Sequence, residues 1–340
     1  MKGKYLHSIY ISLVLALLVG CTIEYPQKDF FGVKGDVVYD NTNLRVPILV
    51  AMDAAEETFD NEEEWANAIV NVYAFYTPTD TEGAPDSVDY SERMDSQDEE
   101  KVYCLVDDTD NGNKGHGKQA RLSKSSLLQW EDGDVVYYNS TYPQYCYRFF
   151  AYYLGNAANM NNAPNRYADY VSYDIEIDGT QDLMCGYATL TDKQKERFGS
   201  LSNPYSANTG ALGLFPTFKM KRQLASLHFA LSDDSAKGDL IRNVVITAAP
   251  CKGRFVVAAA DETQMGITFN TETKNFAQSF EKEGAMFFLP AANNYAVTIQ
   301  LSGNKSFSAV LDVDGGFKAG MAYTVEVKVI DSKNIEFEVK

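Results

Sequence analysis

Short runs rich in aromatic and β-branched residues, separated by clusters of Asp, Asn, Gly and Pro, recur along most of the chain. Residues 45–52 (RVPILVAM) open the series, with Pro47 near the start, where a first or edge strand tolerates it. Next come 70–76 (VNVYAFY), 101–106 (KVYCLV), 135–138 (VVYY), 146–153 (CYRFFAYY), 171–177 and 183–190. The pattern resumes at 217–220, 224–231, 244–248, 253–259, 266–270, 285–289, 295–301, 306–310 and 322–330, and DSKN (331–334) turns the chain into a last strand at 335–340. Runs of this length bounded by turn residues predict strands, and their even spacing predicts an all-β sandwich. After the leading segment no 3.6-residue period outlasts two turns, which disfavours a parallel α/β sheet.

Two stretches break the pattern. Residues 54–68 (AAEETFDNEEEWANA) are acidic and read either as a short helix or as a solvated crossover, and 193–211 are polar and weakly patterned. The chain has 340 residues, too many for one small core, so two domains are expected, with a boundary near Gly199. The resulting division is 1–20, 21–44, 45–198 and 199–340.

The first of these segments has its own logic. Lys2 and Lys4 precede an eleven-residue apolar run at 9–19, which suits a signal peptide and is too short to span a bilayer, since spanning takes about 20 residues. The run ends in Leu18-Val19-Gly20-Cys21, a lipobox pattern: cleavage between Gly20 and Cys21 would free a thiol for a diacylglyceryl group, an anchor that labelled palmitate detects. Residues 22–43 then read as a tether with short strand attempts such as 35–39.

Charge narrows the function classes. Removing residues 1–20 leaves 28 basic against 47 acidic side chains, a net charge of −19. Such a surface repels a phosphate backbone, so nucleic acid is not an expected partner. Of three histidines, His7 lies in the leader, leaving His116 and His228 for acid–base chemistry near neutral pH. Cys104, Cys146, Cys185 and Cys251 remain beside Cys21, at spacings that match no zinc or redox motif. Free buried thiols are the expectation; were one bridge to form, Cys146 with Cys185 is the pair that shares a half.

No motif announces an enzyme. Gly112 to Lys118 (GNKGHGK) satisfies G-x-x-x-x-G-K, but Gln119 stands where a P-loop needs Ser or Thr and no helical pattern follows, so a glycine-rich hairpin tip is expected. Asp107, Asp108 and Asp110 lack EF-hand spacing and read as solvated turn acids. The acidic runs at 62–64 and 98–100 align no glycosidase pair. His228 alternates with apolar neighbours inside a strand, a structural position. No catalytic residue, metal or cofactor is expected. Seventeen of the 22 tyrosines fall in 21–200 and three beyond, which fits either Tyr-rich strand faces or an adhesive surface.

Six blocks, in order, resemble the fimbrillin superfamily, the subunits and related lipoproteins of type V pili. They are VNVYAFY (70–76), WEDGDVVYY (130–138) leading to YRFFAYYL (147–154), QDLMCGYATL (181–190), FKMKRQLASLHFALS (218–232), FFLPAANNYAVTIQL (287–301) and KAGMAYTVEVKV (318–329), behind the lipobox Cys21. The resemblance implies two tandem transthyretin-like Greek-key β-sandwiches, export as an outer-membrane lipoprotein, and assembly with other pilin subunits by donor-strand exchange. It also implies removal of the anchor and first strand by an arginine-specific protease, for which the bond between Arg45 and Val46 is the candidate here. Stalk subunits of the family carry a further C-terminal donor strand, often with Trp, whereas neither Trp65 nor Trp130 is near residue 340. A tip or accessory subunit that contributes to adhesion through a host protein or glycan is therefore the expectation. The rival is a monomeric glycan-binding surface lipoprotein.

Overall fold

A computed structural model describes residues 39–340 apart from 41–42, 45, 53–67, 78–89, 91–114, 123–126, 132, 134, 140–141, 156–162, 234, 236–240, 281–283 and 332–333. The first half supplies β1 (Tyr39–Asp40), β2 (Asn43–Leu44), β3 (Val50–Met52), β4 (Ile69–Thr77), β5 (Lys118–Leu122), β6 (Leu127–Trp130), β7 (Cys146–Tyr153), β8 (Asn165–Arg166), β9 (Tyr170–Glu176) and β10 (Met184–Thr189). Two helices follow, α1 (Asp192–Phe198) and α2 (Ala207–Ala211). The remainder is β11 (Thr217–Arg222), β12 (Ala225–Leu231), β13 (Ile241–Pro250), β14 (Lys252–Ala259), β15 (Gly266–Phe269), β16 (Thr273–Ser279), β17 (Ala285–Leu289), β18 (Ala292–Leu301), β19 (Lys305–Phe317), β20 (Ala322–Val329) and β21 (Ile335–Val339).

The all-β expectation holds. Each expected run on described residues forms a strand except 135–138, where Tyr137 alone is bridged, to Pro47. The run at 101–106 lies outside the described residues, as does 35–39 but for Tyr39. Three strands of four residues or more carried too weak an apolar signal to be read: β5 (KQARL), β6 (LLQW) and β16 (TKNFAQS). In β16 only Phe276 is buried, as suits an edge. The two short helices occupy the weakly patterned segment, each with a capping box in which Thr191 pairs with Gln194 and Ser206 with Thr209.

Seven strands close a barrel in the order β10-β11-β3-β6-β5-β4-β7. A second sheet, β15-β14-β9-β8, covers one side of it. Strand β7 explains the arrangement: Tyr147, Phe149 and Ala151 point into the barrel, whereas Phe150 and Tyr152 pack outward with Tyr173 of β9 and Phe255 of β14. A strand buried on both faces needs a continuous apolar run, and CYRFFAYY is one. Strand β4 does the same, with Val70, Val72 and Ala74 inside and Tyr73 and Phe75 outside.

The remaining strands build two four-stranded sheets, β17-β12-β20-β21 and β16-β13-β18-β19. Leu227, Phe229, Phe287 and Val325 of one share a core with Val244, Ile246, Val297 and Ile299 of the other, a sandwich. Sheet pairing passes across position 199. Gly199 caps α1, β11 pairs antiparallel with β10 through six residue pairs, and β14 pairs with β9. Halves that exchange strands in this way share hydrogen bonds as well as a core.

Candidate assembly site

The segment that the sequence places just after Arg45 enters the barrel. Val46, Ile48, Val50 and Met52 alternate inward and are 1–3% exposed, so every second side chain is spent on the core. Burial of four such side chains contributes about 1.5–3 kcal/mol each. Backbone bonds fix the register: Ile48 N–H donates to Val136 O at 2.7 Å, Tyr138 N–H to Val46 O at 3.0 Å, and Ala51 N–H to Pro216 O at 2.9 Å. Strand β3 then lies parallel to β11 (Ala51 opposite Thr217) and antiparallel to β6 (Val50 opposite Leu128).

Helix α2 walls the entry. A Cβ on Gly210 would sit 2.9 Å from the Tyr138 ring and 3.0 Å from Val46 Cγ1, so the absence of a side chain there lets the helix close over Val46. Leu214, just beyond, is buried in the same cluster. Segment 46–52 is thus an apolar strand seated in the barrel by main-chain bonds and buried side chains. Arg45 itself lies outside the described residues, as do Gly20, Cys21 and Cys104, whereas Val46 is 2% exposed.

The other singled-out residues resolve into structural roles. Only the end of the glycine-rich segment is described. Gly115 and Gly117 take positive φ (87° and 82°), and Lys118 starts β5 opposite Val72, so a strand stands where a P-loop needs a helix. Tyr73 Oη donates to Gly115 O at 2.5 Å, Tyr152 Oη donates to His116 O, and Tyr173 Oη lies 2.6 Å from Tyr152 Oη and 2.9 Å from His116 Nδ1. Arg166 Nη2 also donates to Gly115 O, at 3.1 Å. Burial pushes the Tyr73 and Tyr152 hydroxyls well above the usual tyrosine range, with the neighbouring phenol Tyr173 adding to it. Tyr73 and Tyr152 therefore serve as donors that pin the 115–117 turn to the layer between barrel and covering sheet, with Tyr173 in contact with both Tyr152 and His116.

Cys146, Cys185 and Cys251 are buried free thiols, so Cys146 and Cys185 are not bridged. Burial pushes the Cys185 thiol up to about 12, opposed by the Lys221 charge. Asp107, Asp108 and Asp110 lie outside the described residues, and among the described residues no His, Cys, Asp or Glu cluster has the form of a metal site. His228 is half-buried on β12, between Met286 and Thr324 across the sheet. Among the described residues no helix is long and apolar enough to cross a membrane.

The model of the fimbrillin-like family matches residues 65–340. The chain belongs to that family. Among solved structures, this fimbrillin-like protein is similar to a putative cell adhesion protein from Bacteroides uniformis, with 16% identity and a TM-score of 0.51 over 87% of this chain and 97% of that one. A fimbrial assembly protein from Parabacteroides distasonis matches at 12% identity and TM-score 0.43, over 88% and 95%. The tip fimbrial protein Mfa3 from Porphyromonas gingivalis, with C-terminal truncation, matches at 10% and 0.38, over 87% and 98%. At these identities the first likeness speaks to fold. No curated protein is similar to the chain in sequence.

Proposed function

We propose that the protein is a non-enzymatic cell-surface pilus subunit of the tip or accessory kind, exported with residues 1–20 as signal peptide, lipidated at Cys21 and joined to other pilin subunits by β-strand exchange. The observation that carries this reading is the apolar segment 46–52, which completes the barrel of a fimbrillin-like fold with its alternate side chains buried. Solved neighbours described as a tip fimbrial protein, a fimbrial assembly protein and a cell adhesion protein agree with it in kind.

Cutting between Arg45 and Val46 releases the lipid tether and leaves β3 in its slot. Exchange at this site then requires the incoming strand to displace 46–52, a competition between two strands for one row of barrel hydrogen bonds. Ile335, Phe337 and Val339 of β21 pack against the sandwich, and five residue pairs join β21 to β20, so this strand is a fixed part of its own domain.

Immunogold microscopy of producing cells tests the role, with label along or at the ends of filaments expected; diffuse label on filament-bearing cells would refute it. N-terminal sequencing of shed protein tests the processing, and a start at Val46 is the expected result.

A further inference from the structure

Strand β19 runs thirteen residues at the end of its sheet, paired with β18 along one side and, among the described residues, with no strand along the other. The other sandwich edges are guarded. Gly179 stops one corner: its carbonyl accepts from Phe288 N–H of β17 at 2.8 Å and from Gln278 Nε2 of β16 at 3.4 Å. Strand β21 exposes Glu336 and Glu338. Any two-fold pairing of β21 centred on 336, 337 or 338 sets a glutamate opposite a glutamate, and like charges directly opposite repel.

Strand β19 has no such guard. Ser306, Ser308, Val310, Asp312 and Asp314 form its exposed face, and Val310, 64% exposed, is the most exposed large apolar residue described. Phe307, Ala309 and Val313 alternate with them and pack half-buried on the core beside Leu311, which is 2% exposed. The ladder with β18 is regular from Lys305 to Asp312 and shifts register beyond, where Gly315 and Gly316 take positive φ.

This pattern is symmetric about Val310. Directly opposite residues of an antiparallel pair share a face, so two copies of one strand related by a two-fold axis pair residues whose numbers have the same parity. With the axis at Val310, the exposed face pairs Val310 with Val310, Ser308 with Asp312 and Ser306 with Asp314. The inner face pairs Ala309 with Leu311 and Phe307 with Val313. Each apolar side chain meets an apolar one, each carboxylate meets a hydroxyl that can donate to it, and no like charges are opposed. Ser308 Oγ lies 2.9 Å from Thr298 Oγ1, so Thr298 can donate to Ser308 while Ser308 donates across the new pair.

We propose that β19 joins a second copy of this chain, antiparallel and edge to edge, through a two-fold axis at Val310. A pair of this kind is closed and does not propagate, so it sets two subunits side by side and does not depend on the strand exchange proposed above.

Sedimentation velocity of the lipid-free exported chain tests this in 0.15 M salt, where repulsion between acidic surfaces is screened beyond about 8 Å. A reversible monomer–dimer equilibrium is expected between about 1 μM and 1 mM. Val310→Lys opposes two ammonium groups at the axis and should leave only monomer, with the thermal midpoint held because the side chain is exposed. Ser308→Asp opposes the Asp312 carboxylate twice and should weaken the dimer about threefold to tenfold, whereas Ser308→Lys should tighten it by a similar factor. A wild type that stays monomeric, its edge bare or covered by the chain's own residues, overturns the proposal. So does a dimer that Val310→Lys and Ser308→Asp leave unchanged.

Discussion

Barrel and sandwich are closed in opposite ways. Nine residue pairs join β18 to β19 in a hairpin whose turn is Gly303-Asn304, whereas β3 reaches each of its barrel neighbours through two. The hairpin joins adjacent sequence, whereas Ala51 and Thr217 are remote in it. Long-range closure of this kind pays loop entropy before it gains contacts. The sandwich is thus rich in pairing between neighbours in sequence, and the barrel is completed by a remote strand with few ladder pairs and four buried side chains.

Phe229→Ala should break the more robust side. Phe229 is fully buried with its ring 5.8 Å from that of Phe287, and its removal costs about 3–5 kcal/mol. Denaturant titration would show the loss as one cooperative transition. A shift below 1 kcal/mol would mean the sandwich does not carry global stability.

Ile48→Ala probes the other side at about 2–5 kcal/mol. Here the expected signature is local. Hydrogen exchange at the Tyr138 amide, bonded to Val46 O, should quicken, with amides of β13 and β18 unchanged. Equal acceleration in both would erase the contrast between a displaceable strand and a permanent core.

The same contrast governs what the sequence could reveal. Strands buried on both faces, such as CYRFFAYY, and the alternating sandwich strands announce themselves by composition. Val46, Ile48, Val50 and Met52 were visible as an apolar run beside Arg45, but their place in the barrel depends on β6 and β11, both remote in sequence. Helices α1 and α2 are too short for a periodic face, although T-D-K-Q at 191–194 carried a capping box. The cleft between β7 and β10 had no local signal, because it exists only where two strands diverge. Likewise the tyrosine excess looked adhesive or merely facial. Tyr73, Tyr152 and Tyr173 lie on strand faces in a buried layer where phenols, unlike phenylalanines, can hold the 115–117 turn.

Tyr152→Phe tests that logic. It removes the donor to the part-buried His116 O, at about 1 kcal/mol, while keeping the ring packing. Unfolding free energy should drop by that amount. An unchanged value would make the hydroxyl cluster incidental.

Cys185 sharpens the comparison through pH. Above the ordinary thiol pKa of about 8.5 the unfolded chain releases this proton, whereas the folded barrel, with the thiol pushed up to about 12, keeps it. The unfolded state then binds fewer protons, so stability falls as pH rises from about 8.5 toward 12, by an order of 1–2 kcal/mol near pH 10. Subtracting the profile of Cys185→Ala should isolate the effect. Profiles that stay parallel across this window would place the thiol in a wetter site than the barrel wall.

The smallest expected change lies in the sandwich and has the opposite sign. Ala248 sits at φ 53° where the β13–β16 register shifts between Ile246 and Ala249, and its own N–H is held by Asn275 Oδ1 at 3.0 Å. A left-handed conformation costs an L-residue about 1 kcal/mol that glycine does not incur. Ala248→Gly should therefore stabilise by a few tenths to about 1 kcal/mol, since glycine's greater unfolded-state entropy takes back part of the gain. Thermal unfolding of the variant reads this directly, with a raised midpoint expected. A lowered midpoint would show that the Asn275 bond and the bulge prefer the alanine backbone, and that the sandwich stores no strain there to release.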